Sequence, residues 1–195
     1  MACNSIPEGC KLDLWAKVIV AKNIQNDEPI LGGFDPYGEP VGADVVVTVG
    51  SNENIICLED FKVSFDQAQV TEDFICTSKV VLTIPFNFFF FLKTNLGYVT
   101  ATATNIFIKE IPVSEFIKLD GTPLTSSEFK KEVDQSKVVV CNYELVDLDI
   151  ITKNPLDPTH QTIKVVITAT IIDKLGKYQD VIVYGFLEDL GCEDC

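Results

Sequence analysis

Residues 79–108 read KVVLTIPFNFFFFLKTNLGYVTATATNIFI. The alternation inside this stretch sets the fold class, because successive side chains of an extended strand point to opposite faces. One face of the first arm carries Val80, Leu82, Ile84, Phe86, Phe88, Phe90 and Leu92, apolar without a break. The other carries Lys79, Val81, Thr83, Pro85, Asn87, Phe89, Phe91 and Lys93, so it is mixed and turns apolar at Phe89. Thr94-Asn95-Leu96-Gly97 supplies turn chemistry. The return arm sets small Val99, Ala101 and Ala103 on one face and Tyr98, Thr100, Thr102 and Thr104 on the other. The pattern predicts a long β-hairpin with a core face. Where Phe89 and Phe91 sit, the second face also seeks cover, which makes these two residues candidates for an assembly interface.

The rest of the chain repeats the theme. Leu12 to Ile24 predicts a strand with Leu14, Ala16, Val18 and Val20 on one face. Asn26 to Gly42 is rich in proline and glycine and reads as a loop, with a β-turn at Asp35-Pro36-Tyr37-Gly38. Ala43 to Val49, Ile55 to Leu58 and Phe61 to Phe65 read as strands. Thr125 and Glu128 have capping-box spacing, and Phe129 and Val133 fall one turn apart, which predicts a short helix near Ser126 to Gln135. Lys137 to Thr152 is a further strand. A closing hairpin is expected from Ile163 to Ile172 and Tyr178 to Leu187, turning at Lys174-Leu175-Gly176-Lys177. About nine to eleven strands at this spacing predict an all-β, antiparallel two-sheet sandwich or jelly roll with one short surface helix. The division expected is a cysteine-bearing arm over 1–11, a β-sandwich domain over 12–188 and a cysteine-bearing tail over 189–195.

Composition narrows function. The chain of 195 residues has a net charge of −14 and contains no arginine. Nucleic acid needs a basic stripe to meet its phosphates, so it is not an expected partner. An anionic membrane is disfavoured on the same ground, and the apolar run Phe88 to Leu92 is far short of the ~20 residues of a spanning helix. The hydrophobic share is 47% and the mean hydropathy +0.22, high enough to suggest that some surface is covered by partners. The N-terminal residues show no basic and no apolar signal region, so synthesis in a cytosol is expected.

Catalytic constellations are weak. The one histidine, His160, has neither an evident nucleophile nor an orienting partner in sequence. Asp147 and Asp149 share a strand face and suit calcium binding or glycoside hydrolysis in principle. A solvated strand face explains them as well. Asp35, Glu39 and Asp44 lack calcium-loop spacing. No enzyme, cofactor or metal site is expected.

Seven cysteines are the most informative feature. Cys3, Cys10, Cys192 and Cys195 lie near the two ends of the sequence, and Cys57, Cys76 and Cys141 lie in or beside apolar strands. The terminal set admits a four-thiolate zinc site, a redox Cys192-x-x-Cys195 or disulfide cross-links. Cross-links fit best. Cys3-x₆-Cys10 is loose for zinc, and Glu193 and Asp194 would raise rather than lower thiol pKa. All seven are candidates for disulfides between subunits, which makes further copies of this chain, assembled head to tail, the expected partner.

This plan of a cysteine-bearing arm, a threonine-rich β body and a cysteine-bearing tail resembles the endospore-appendage and spore-surface proteins of endospore-forming Firmicutes. Adjacent cysteines can occur in the connectors of that class, whereas this chain has Cys3-x₆-Cys10. The resemblance implies a jelly-roll subunit made in the mother cell without a signal peptide. It also implies a final place outside the cell, on the spore surface, in a disulfide-cross-linked filament or layer. A carbohydrate-binding or adhesive β module is the alternative, with Tyr37, Tyr98 and Tyr178 as its sugar-facing residues.

Overall fold

The computed structural model describes the backbone of residues 11–75 and 78–184, and the side chains of 17–75 and 78–178. The chain folds as an antiparallel β-sandwich with one short helix. The strands are β1 (Lys11–Leu31), β2 (Gly33–Phe34), β3 (Pro40–Val41), β4 (Ala43–Thr48), β5 (Ile55–Phe65), β6 (Thr71–Ile75), β7 (Lys79–Thr94), β8 (Tyr98–Pro112), β9 (Ile117–Lys118), β10 (Gln135–Ile150) and β11 (His160–Tyr184). The helix α1 (Ser126–Glu132) lies between β9 and β10.

Strand β7 is the axis of one sheet. It pairs with β8 along one side over its whole length. Along the other side it pairs with β6 opposite Lys79–Thr83 and with β5 opposite Phe86–Thr94. The second sheet is built on β11, which pairs with β10 on one side and with β1 and β4 on the other. Strand β9 adds to β1, and β2 and β3 form a separate small hairpin.

The apolar face of β7 is the core. Val80, Leu82, Ile84, Phe86, Phe88, Phe90 and Leu92 are all buried, and they meet Val45, Val47, Ile163, Val165, Ile167 and Ile171 of the other sheet. Three rings run along the strand, with centroids 6.2 Å apart for Phe86–Phe88 and 6.5 Å for Phe88–Phe90. Directly across the ladder, Phe88 faces Ala103 and Phe90 faces Ala101, so small residues on β8 leave the rings room. The hairpin turns as expected: the Thr94 amide donates to the Gly97 carbonyl at 2.8 Å. Gly97 takes a φ of 154°, which its missing Cβ makes inexpensive. One end of the sandwich is tied by Gln161. Its Oε1 accepts from the Ile55 amide at 2.8 Å and its Nε2 donates to the Ile151 carbonyl at 3.1 Å.

Helix α1 is shorter than expected because Val133 is already extended. Its capping box forms as predicted: Glu128 N donates to the Thr125 hydroxyl and Thr125 N donates to the Glu128 carboxylate. The turn at Asp35 also forms, with the Gly38 amide on the Asp35 carbonyl.

Three expectations are corrected. No hairpin closes at 174–177, since β11 runs unbroken from His160 to Tyr184. Ile171, Asp173 and Leu175 continue one inward row through the supposed turn. Gly176 is there for space: a Cβ would sit 2.7 Å from the Val18 carbonyl oxygen of β1. The segment after Asn26 is not all loop. Strand β1 bulges between Gln25 and Glu28, with Asp27 at a φ of 56°, and continues to Leu31. Ile55–Leu58 and Phe61–Phe65 are one strand, with bulges between Ile55 and Cys57 and between Leu58 and Asp60.

Candidate functional site

The sequence pointed to the outward side of the β7–β8 hairpin, and the register defines it. Across the ladder stand Thr83–Ile108, Pro85–Ile106, Asn87–Thr104, Phe89–Thr102 and Phe91–Thr100. None of these ten residues is ionisable, in a chain of net charge −14. Phe89, Phe91, Ile106 and Ile108 are all exposed. One face of an antiparallel sheet looks outward whenever the other covers a core, and it is ordinarily polar. Phe91 is backed by Tyr98, whose ring stacks on it at 5.0 Å and 7°. Charges resume only at the margins. Asp60 and Lys62 of β5 stand opposite Phe91 and Phe89, and Lys79 pairs with Glu110 at 2.6 Å.

The other sheet shows a different surface. Lys22 of β1, Lys174 of β11 and Lys137 of β10 are aligned across three strands. No ion pair neutralises any of them among the described residues. Like charges directly opposite repel, so this row is an electrostatic cost that local structure does not explain. Lys17, Ile19, Lys137 and Lys174 line a shallow hollow there.

Of the cysteines, Cys57 on β5 and Cys141 on β10 are half-buried and unbonded. Cys57 Sγ lies 3.7 Å from Glu59 Oε1. Cys141 stands opposite Thr170 at the start of a bulge. Cys3, Cys10, Cys76, Cys192 and Cys195 lie outside the described residues, as do residues 1–10 of the arm and the whole tail over 189–195.

The weaker candidates are not assembled into chemistry. His160 opens β11 opposite Thr48. Its Nδ1 is 2.9 Å from Asp157 Oδ1 and 3.3 Å from the Thr159 hydroxyl. A relay needs hydroxyl and carboxylate on different ring nitrogens, and here both approach the same one. The imidazole holds the Asp157 carboxyl below its usual range. Asp147 stands opposite Val166 and Asp149 opposite Lys164, after a bulge at Leu145. Asp35 is committed to its own turn, accepting from the Tyr37 and Glu39 amides. Among the described residues no three of His, Cys, Asp and Glu cluster. The tyrosines are dispersed. Tyr98 sits beside the hairpin end, where Asn95 meets Asn54. Tyr178 follows Gly176 at the opposite end of β11, and Tyr37 occupies the β2–β3 turn.

Sequence reasoning missed one constellation. Asn23 and Gln25 on β1 and Asp173 on β11 are buried polar groups, Glu72 on β6 is half-buried with its Oε2 inside, and several of their oxygens lack any partner. Burial and the neighbouring Glu72 push the Asp173 carboxyl up to about 8. Burial likewise raises Glu72, against the pull of Ser136 and Lys17. The signal was hidden by a bulge between Ile19 and Ala21. It reverses the parity of β1, so Asn23 and Gln25 point inward where strict alternation from Val18 and Val20 would put Lys22 and Ile24.

No protein-family model, curated protein or solved structure is significantly similar to this chain.

Proposed function

We propose that this protein is a structural subunit that assembles with copies of itself into a filament or layer cross-linked by disulfides, at an extracellular surface such as that of a spore. The observation that carries the reading is the charge-free middle of the outer face of the β7–β8 hairpin, from Thr83 to Phe91 and from Thr100 to Ile108. Subunits of net charge −14 repel one another, and contact centred on a stretch with no ionisable group keeps like charges apart. Phe89, Phe91, Ile106 and Ile108 supply apolar area there.

Two further features support it. The unneutralised row Lys22–Lys174–Lys137 lies on the other sheet, so each copy offers two unlike surfaces, the second attractive to an acidic neighbour. A contact between unlike surfaces is head to tail, and it propagates into a filament wherever its rotation does not close a ring. Cys57 and Cys141 are free thiols on β5 and β10, which leaves them available for bonds to other chains once an oxidising environment is reached.

Electrophoresis of native material without reductant, together with electron microscopy, tests the reading. The expected result is a multimer ladder and ordered assemblies. Reductant should collapse the ladder towards the 21.6 kDa chain. Phe91→Glu should leave the subunit folded and abolish assembly. Native protein that stays monomeric in oxidising conditions would overturn the proposal.

A further inference from the structure

We propose that Asn23, Gln25, Glu72 and Asp173 form a buried binding site for one hard divalent cation, calcium, between the two sheets. Asn23 stands directly opposite Asp173 in the β1–β11 ladder, a placement that brings such side chains to ~4.5–5.5 Å at Cβ. Gln25 is the next inward residue of β1 and lies diagonal to Asp173. Glu72 enters from the facing layer. It pairs with Leu82, a core residue, so its side chain is on the inward side of that sheet. Glu72 is near enough to Asp173 to raise its proton affinity.

The burial is severe and the donors are missing. Asp173 is 1% exposed, Asn23 6% and Gln25 9%. Five oxygens have no hydrogen-bond partner: Asn23 Oδ1, Gln25 Oε1, Glu72 Oε2 and both carboxylate oxygens of Asp173. The Asn23 amide is oriented by a bond from its Nδ2 to the Glu115 carbonyl at 3.0 Å, so oxygen, not nitrogen, is left free. Buried polar groups of native proteins are nearly always paired, and here every orphan is an acceptor. A single shared proton supplies one donor. A divalent cation neutralises both carboxylates and takes oxygens from all four side chains. Lys17, whose charge acts on Glu72, donates to the Ser136 carbonyl at 2.7 Å.

The donor set selects the ion. Carboxylate and amide oxygens without thiolate or imidazole suit a hard cation, and calcium accepts six to eight oxygens in irregular geometry, with water completing the shell. Because the ligands come from β1, β6 and β11, the ion would clamp β6 to the opposite sheet, beside the packing of Phe74 on Phe129 of α1 at 5.1 Å.

The test uses full-length protein, reduced and stripped with chelator, then titrated with calcium chloride by calorimetry and thermal melting. One ion should bind per chain, and Tm should rise by about 5–10 °C at a hundredfold excess over Kd. The double variant Glu72→Gln/Asp173→Asn keeps the volume and removes the buried charge. It should fold without calcium and show neither binding heat nor a Tm response. A stripped wild-type protein whose Tm and binding heat both ignore calcium would show that the pair holds no cation and would overturn the proposal. A calcium response that persists in the double variant would overturn it too.

Discussion

Phe88 and Phe89 are chain neighbours that differ in the face they present, so truncating each in turn isolates the contribution of the core. Phe88 is 2% exposed, lies between the Phe86 and Phe90 rings and faces Ala103 across the ladder. Phe→Ala at such a site costs about 3–5 kcal/mol, the larger values where neighbours cannot close the void. Ala101 and Ala103 carry only a methyl group, with no rotamer to swing into it, so the upper half of the range, about 4–5 kcal/mol, is expected for Phe88→Ala. For a chain of this length that is a fall in Tm of roughly 8–20 °C. Phe89 is 42% exposed and stands opposite Thr102. It has only part of a full phenylalanine burial to lose, so Phe89→Ala should cost about 1 kcal/mol. The assay is urea and thermal unfolding in reductant, where cross-links do not contribute. A shift in urea midpoint at unchanged m-value identifies a stability effect. Equal losses for the two variants would refute the assignment of faces, and with it the register that defines the outward surface.

Gly176→Ala should destabilise by more than the small gain expected from a stiffer unfolded chain, because the added methyl meets the Val18 carbonyl at 2.7 Å. Hydrogen exchange should show β1 and β11 loosening around that point. Thr125→Ala removes the cap of α1 and should cost about 0.5–2 kcal/mol, read by thermal melting. Hydrogen bonds from Lys118 and Thr125 lower the Glu128 carboxyl from its ordinary 4.5 to about 2. A depressed carboxyl favours the folded state above its unfolded value, so this support should be lost as pH falls from 4.5 to about 2. NMR titration of the α1 amides checks this window. Lys174→Thr relieves the repulsion from Lys22 and Lys137 and should stabilise the monomer by about 0.2–1 kcal/mol. The gain should fade at high salt.

The sequence by itself determined the all-β class, the central hairpin and its core row, because strict period-two alternation over Val80–Leu92 has one low-energy solution when one side must be buried. The Thr125–Glu128 capping box and the Asp35-Pro36-Tyr37-Gly38 turn were equally legible, since each is decided by groups a few residues apart. The exposed position of Phe89 and Phe91 followed from the same alternation. Other features were settled only by long-range pairing. Bulges at Ile19–Ala21, Gln25–Glu28 and Leu58–Asp60 merge or extend strands that local turn chemistry would end. A bulge shifts register by one residue, and one residue exchanges the two faces. That is why Asn23 and Gln25 went unnoticed as interior groups. The run Lys174-Leu175-Gly176-Lys177 looks like a turn in one dimension. In three dimensions β1 lies against it, and the glycine admits the Val18 carbonyl. The meeting of Glu72 with Asp173, a hundred residues away and on the other sheet, depends on how the two layers are stacked, and no local pattern encodes that distance.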